Sequence, residues 1–197
     1  ILEAYTLKPD GRRIAVPPGN YQHQANTGMG NAGPAFSDRT RVSVVFPDFS
    51  VGDAIHIRYR VTEKEPMFPG HFSQHLRYSV YNQYDDVQVT VRAPKEMKLH
   101  TEAYFLKPQA PTEANGKQVL VWRYANPTPR VYTEEDEGLW AINEIPSVMI
   151  STFANHEAIA QAYGARALPK SQPTSRVRDL VAQIVGAATS EREKARL

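Results

Sequence analysis

The chain has 197 residues, 41% hydrophobic and 22% charged, with 23 Lys and Arg against 21 Asp and Glu. That length suits one large domain or two small ones, and the composition builds an ordinary globular core rather than a disordered chain. A net charge of +2 without a long basic run argues against nucleic acid as a partner, and the lack of cysteine excludes disulfides, thiolate nucleophiles and Cys-bound zinc within these residues.

No apolar stretch is long enough to span a bilayer as a helix, and no leader pattern opens the chain. It begins at Ile1-Leu2-Glu3 and stops at Arg196-Leu197 inside a helical pattern. Both ends are therefore expected to be cuts, with any targeting segment lying outside them.

In chain order, residues 1–16 read as a hairpin. Leu2, Ala4 and Thr6 alternate with Glu3, Tyr5 and Leu7, and Lys8-Pro9-Asp10-Gly11 supplies the turn before Arg12–Val16 return. Residues 17–40, rich in Pro, Gly, Asn and Ser, read as a long loop with room for one short strand. Arg41–Phe46 alternate as a strand that Pro47 breaks, and Val51-Gly52-Asp53 turns into Ala54–Val61. There Ile55, Ile57 and Tyr59 are expected to face the core, and His56, Arg58 and Arg60 the solvent. Residues 63–74 form an aromatic, Pro-bearing loop. Strands are predicted near 75–83, 86–92, 98–105, 117–124 and 147–153, with an acidic irregular segment at 128–145.

The period then changes to that of a helix. Asn155 reads as the N-cap of a short helix ended by Gly164. Val177, Leu180, Val181, Ile184 and Val185 mark a second helix stopped by Gly186, and Ser190 with Glu193 forms a capping box for a third. The expected fold is mainly β, an antiparallel β-sandwich over 1–153, followed by two or three short C-terminal helices over 154–197.

Several ordered pieces together resemble one bacterial family. They are Leu7-Lys8-Pro9-Asp10-Gly11, Pro34-Ala35-Phe36-Ser37-Asp38, Val45-Phe46-Pro47-Asp48-Phe49-Ser50-Val51-Gly52-Asp53 with Ile57-Arg58-Tyr59-Arg60, Pro69-Gly70-His71-Phe72 and Val89-Thr90-Val91-Arg92-Ala93-Pro94. Val148-Met149-Ile150-Ser151-Thr152-Phe153-Ala154-Asn155 followed by Ala162-Tyr163 completes the set, so the likeness runs over about residues 1–165. The family is the domain of unknown function that precedes transglutaminase-like, papain-related domains in secreted or periplasmic bacterial proteins. The resemblance implies a periplasmic or extracellular location and a downstream transglutaminase-like domain in the same chain as partner. It implies that 154–197 are a helical linker and the truncated start of that domain. The Cys-His-Asp triad of such a domain would lie further on, since no Cys is present here.

No motif within the chain points to chemistry of its own. His71 and His75 are four apart, a metal-ligand spacing on a helix, but here they straddle a Pro-Gly loop and a strand start. Asp85-Asp86 project to opposite faces of a strand, and Glu134–Glu137 read as a solvated loop, so neither makes the carboxylate pair of a glycosidase. Ser37-Asp38 lacks a nucleophile elbow and reads as a turn. Gly28-Met29-Gly30-Asn31-Ala32-Gly33 matches a dinucleotide fingerprint but neither follows a strand of a βαβ unit nor opens a helix. Trp122 and Trp140 read as core and edge anchors.

These readings predict no catalytic residues, no metal and no cofactor. The function expected is that of a non-catalytic accessory module that packs on the downstream domain and helps bind a protein or peptide substrate. Its binding candidates are Phe68, His71, Phe72, Tyr78 and Tyr84, with the loops at 66–72 and 19–34 as contact regions. The alternatives are a free-standing carbohydrate- or ligand-binding sandwich, which a row of exposed aromatics would favour, and a carboxylate hydrolase, which needs two convergent acids.

Overall fold

The computed structural model describes residues 1–25, 40–133, 142–186 and 188–196. Contacts divide the chain into two compact units, Ile1–Lys64 and Glu65–Leu197.

In the first unit, β1 (Glu3–Leu7) is the central strand of a three-stranded antiparallel sheet, between β2 (Arg13–Ala15) and a strand from the end of the unit. The β1–β2 turn closes as its residues dictate. Lys8 N donates to the Arg12 carbonyl at 2.9 Å, and Gly11 takes φ +87°, a left-handed conformation that costs glycine little. A 3₁₀ turn at Pro18–Asn20 leads into β3 (Tyr21–Ala25), which pairs with β4 (Thr40–Val44) in a two-stranded ribbon. β5 (Ala54–Arg58) then completes the first sheet, with Tyr5 opposite His56 and Thr6 opposite Ile55.

The alternation read for β5 holds, but neither of its sides is buried, so the isoleucines do not face a core. Ile55 and Ile57 are 53% and 43% exposed, whereas His56 stacks on the buried Tyr5 ring at 4.5 Å. Arg13 lies over that ring at 5.0 Å. Of the polar residues on that side of β5 only His56 meets a ring, while Arg58 stays 65% exposed beside Glu3 at 3.4 Å. On β1 itself Ala4, Tyr5 and Thr6 are all buried, as befits a central strand.

In the second unit, β7 (Tyr84–Pro94), β10 (Thr112–Ala114) and β11 (Lys117–Asn126) form one antiparallel sheet in the order β10–β11–β7, with the two-residue β9 (Lys107–Pro108) also paired to β11. β6 (Ser73–Arg77), β8 (His100–Tyr104) and β12 (Ser147–Ser151) form another in the order β6–β12–β8. Val89 of β7 and Trp122 of β11 share one buried cluster with Val148 and Ile150 of β12 and with Leu106. The two sheets therefore stack across a common core, as a sandwich does. Trp122 is a core anchor as expected, while Trp140 lies outside the described residues.

The strand expected over 75–83 stops at Arg77, because Ser79 organises a turn: its carbonyl accepts from Asn82 N and its hydroxyl from Tyr81 N. Three helices follow, α1 (His156–Ser171), α2 (Ser175–Val185) and α3 (Glu191–Lys194). Asn155 caps α1 by accepting from Ala158 N at 2.9 Å. Gly164 does not end α1, since it keeps an ordinary helical backbone and costs the helix only about 1 kcal/mol. Gly186 does end α2, at φ +52°, and the Ser190–Glu193 capping box forms.

Candidate functional site

The loop before β6 is fastened down rather than free. Gly70 takes φ +77° while His71 N donates to the Phe68 carbonyl at 3.0 Å, turning both rings onto Phe153. His71 stacks on Phe153 with centroids 4.0 Å apart, and Phe68 meets it edge-on at 5.6 Å. Phe72 N donates to the Thr152 hydroxyl and Thr152 N to the Phe72 carbonyl, both at 2.9 Å. The Arg166 guanidinium of α1 donates to the Met67 carbonyl. Phe153 is 5% exposed, so Phe68 and His71 serve as packing, while Phe72 and Met67 remain exposed.

Tyr78 and Tyr84 do meet, edge-on at 5.7 Å, but not along a single strand: Tyr78 follows β6 and Tyr84 opens β7. Tyr124 of β11 lies 6.0 Å from Tyr78 and 5.9 Å from Tyr84. Burial pushes the Tyr78 and Tyr124 hydroxyls above their ordinary pKa. This triad packs at the margin of the core and presents no stacked row to solvent. The five candidate residues thus fall into two separate clusters.

The residues that do converge lie on the outer face of the β6–β12–β8 sheet. Register places His75, Met149 and Glu102 in one cross-strand row and Ser73, Ser151 and His100 in the next. Side chains of directly opposed residues share a face. The opposite face carries Leu76, Val148 and Ala103 into the core. Phe153, Asn155 and His156, at the start of α1, form a wall, and the resulting trough encloses about 370 Å³.

His75 is half-buried, and its Nε2 is shielded from solvent with no hydrogen-bond partner. Burial, and secondarily the charge of Arg77, hold its pKa below the ordinary histidine value, so the ring is neutral near pH 7. Glu102 accepts from the Tyr104 hydroxyl. His71 is stacked in its loop and does not join His75, and no cluster with metal-binding composition occurs among the described residues. Sequence reading missed His100, Glu102, Met149 and His156. The polar parity of β8 was a faint signal, but only strand pairing joins it to His75.

The paired acids make no site: Asp86 holds Arg123 through both carboxylate oxygens at 2.8 and 2.9 Å, and Asp85 accepts from Gln83. Glu134–Glu137, the 28–33 glycines and Ser37-Asp38 lie outside the described residues.

α2 presents a second kind of surface. Thr174 caps it at one end and Gly186 at the other, yet Val177, Leu180, Val181 and Ile184 are 47–53% exposed along one stripe. An 11-residue helix is marginal by itself, and most helical stability in proteins comes from packing an amphipathic face.

DUF3857, a domain of unknown function with a solved structure, matches residues 1–131. The chain is also similar to the crystal structure of a candidate protease from Parabacteroides distasonis ATCC 8503, with a TM-score of 0.78 over 100% of this chain at 18% identity. At that identity the likeness concerns the fold, and the chain spans 38% of that protein's length. No curated protein matches the chain.

Proposed function

The chain belongs to the DUF3857 family, and from that premise we propose that it is the non-catalytic N-terminal accessory module of a bacterial transglutaminase-like protein. In this reading 154–197 lead into the downstream domain, the module packs on that domain and assists peptide or protein binding, and the whole works in the periplasm or outside the cell. The observation that carries the proposal is the uncovered stripe of α2. Full burial of a Val, Leu or Ile side chain is worth about 1.5–3 kcal/mol. Half of that for each of Val177, Leu180, Val181 and Ile184 gives roughly 3–6 kcal/mol of gross stabilisation. Within one polypeptide, high effective concentration reduces the cost of association. The absence of Cys agrees with a nucleophile supplied elsewhere in the protein. The carbohydrate-binding alternative is the less supported reading, because Phe68 and His71 pack on Phe153 and Tyr78 on Tyr84, which leaves Phe72 alone exposed among its candidates.

Hydrogen exchange tests the reading. In the longer natural protein the α2 amides exchange at least tenfold more slowly than in the 197-residue chain, and Leu180→Asp with Ile184→Asp abolishes that difference. Equal exchange in both forms refutes the docking. Sustained amidase or glycosidase turnover by the 197-residue chain, above a denatured control, refutes the non-catalytic role. Recovery of the natural protein in the cytoplasmic fraction refutes the location.

A further inference from the structure

We infer that the free edge of β8 takes on an extended peptide as an added strand, with apolar side chains at alternate positions filling the cavity beside that edge. The inference rests on the accessory reading and gives that module's peptide a place and a sequence pattern.

β8 is an outer strand of its sheet and pairs only with β12 among the described residues. In an antiparallel strand, alternate residues turn their N–H and C=O groups to opposite sides. One set bonds β12, and the other has no partner among the described residues. Another extended backbone is what matches such a row of donors and acceptors. Natural edges are commonly blocked by Lys, Pro or a bulge. His100-Thr101-Glu102-Ala103-Tyr104 has none of these, and its register with β12 is unbroken. Phe105, at φ +64°, takes the chain out of the strand, so the free edge is five residues long.

The core beside that edge is open. Thr101 and Ala103 lie opposite Ile150 and Val148, on the core-facing side. Ile150 and Val148 are fully buried, yet Thr101 is exposed and Ala103 only half-buried. They line a cavity of about 530 Å³ whose other walls include Leu106, Leu120 and Trp122, and no charged side chain lines it among the described residues. That volume lies within the usual range of ligand sites. Cross-strand neighbours share a face, so residues of an added strand opposite Thr101 and Ala103 project into the cavity. Those positions are two apart in the added strand and suit aliphatic side chains. A second copy of the chain fits less well. Pairing all of His100–Tyr104 with its own copy sets Glu102 against Glu102, and like charges directly opposite repel.

The test titrates three blocked serine-based heptapeptides into the isotope-labelled 197-residue chain. One carries two valines separated by a serine, one carries the two valines adjacent, and one has aspartates in place of the separated valines. The separated-valine peptide saturably shifts the amides of His100–Tyr104 and of the cavity walls. At about ten times its dissociation constant it slows solvent exchange about tenfold at alternate amides of His100–Tyr104, leaving those between unchanged. The adjacent-valine peptide binds about fivefold more weakly, and the aspartate peptide does not bind. Thr101→Lys, at an exposed position, sets an ammonium over the cavity and weakens binding about tenfold. Thr101→Val retains binding, and melting curves show both variants folded. Equal binding by the three peptides, protection outside alternate β8 amides, no binding, or full binding by Thr101→Lys would each overturn the inference. Dimers that protect the same amides without peptide would name a second copy as the occupant and overturn it too. If no peptide binds while α2 still docks in the longer protein, this inference falls and the accessory reading stands. If the peptide binds while α2 does not dock, the docking falls and the edge site stands.

Discussion

Phe153 offers the most direct test of how the loop at 66–72 is held. The ring is 5% exposed, stacked on His71 at 4.0 Å and met edge-on by Phe68 at 5.6 Å. Phe153→Leu keeps most of the apolar volume and loses both ring pairs. At about 0.5–1.5 kcal/mol each beyond area burial, the loss is roughly 1–3 kcal/mol. Phe153→Ala also forfeits the buried volume and costs about 3–5 kcal/mol, a large share of a domain's stability. Urea unfolding measures both values. Native-state hydrogen exchange locates the effect: the Phe72 and Thr152 amides lose protection in the Leu variant, while β11 amides change only by the global amount. In a double-mutant cycle with His71→Ala, the coupling is about 0.5–1.5 kcal/mol. A Leu variant as stable as the parent, with Phe72 and Thr152 protection unchanged, refutes the claim that these rings fasten the loop.

Three further outcomes concern the first unit. Lys8 Nζ lies 2.9 Å from the Asp53 carboxylate, with side chains 11% and 4% exposed. The Lys8 hydrogen bond, then that from Ser50 N, hold the Asp53 carboxyl below its usual pKa, and the Asp53 hydrogen bond raises that of Lys8. A lowered acid stabilises above its unfolded value, and a raised base below its own. Stability is therefore fully present between about pH 4 and pH 10, falling on the acid side through the folded Asp53 value and on the alkaline side through that of Lys8. Asp53→Asn flattens the acid limb in urea titrations at stepped pH, and an unchanged limb refutes the assignment. Thr6→Val is near-isosteric and removes the 2.7 Å hydrogen bond from the Thr6 hydroxyl to the Pro47 carbonyl. It lowers unfolding free energy by about 1 kcal/mol, and a variant as stable as the parent shows that bond to be expendable. Gly52→Ala, at φ +94°, costs about 1–2 kcal/mol by thermal melting, and no loss means the turn relaxes.

Much of the fold was legible residue by residue. Lys8-Pro9-Asp10-Gly11, the Val51-Gly52-Asp53 turn, the Asn155 cap, Gly186 and the Ser190–Glu193 box all form where they were read. Gly164 misled because a glycine stops a helix only where the chain adopts a left-handed turn, and here the helix runs on to Ser171. The β5 faces misled because alternation alone does not tell whether another layer covers a strand, and here Ile55 and Ile57 stay 53% and 43% exposed. Of the candidate site, His71 and Phe68 were singled out but face Phe153, whereas His75, noted only for its four-residue spacing from His71 and set aside as a metal ligand, lines the trough.

By itself the amino-acid sequence determined the mainly β character, the turns, the helix caps and the lack of a thiol. Each of these depends on side chains satisfying backbone groups a few residues away, or on simple presence. Only the tertiary structure decided that β12 lies between β6 and β8, that His75 and Glu102 share a face, and that the Tyr78 and Tyr84 rings close on Tyr124. Strand register and burial depend on partners far along the chain, and the same alternating pattern is compatible with many pairings until packing selects one.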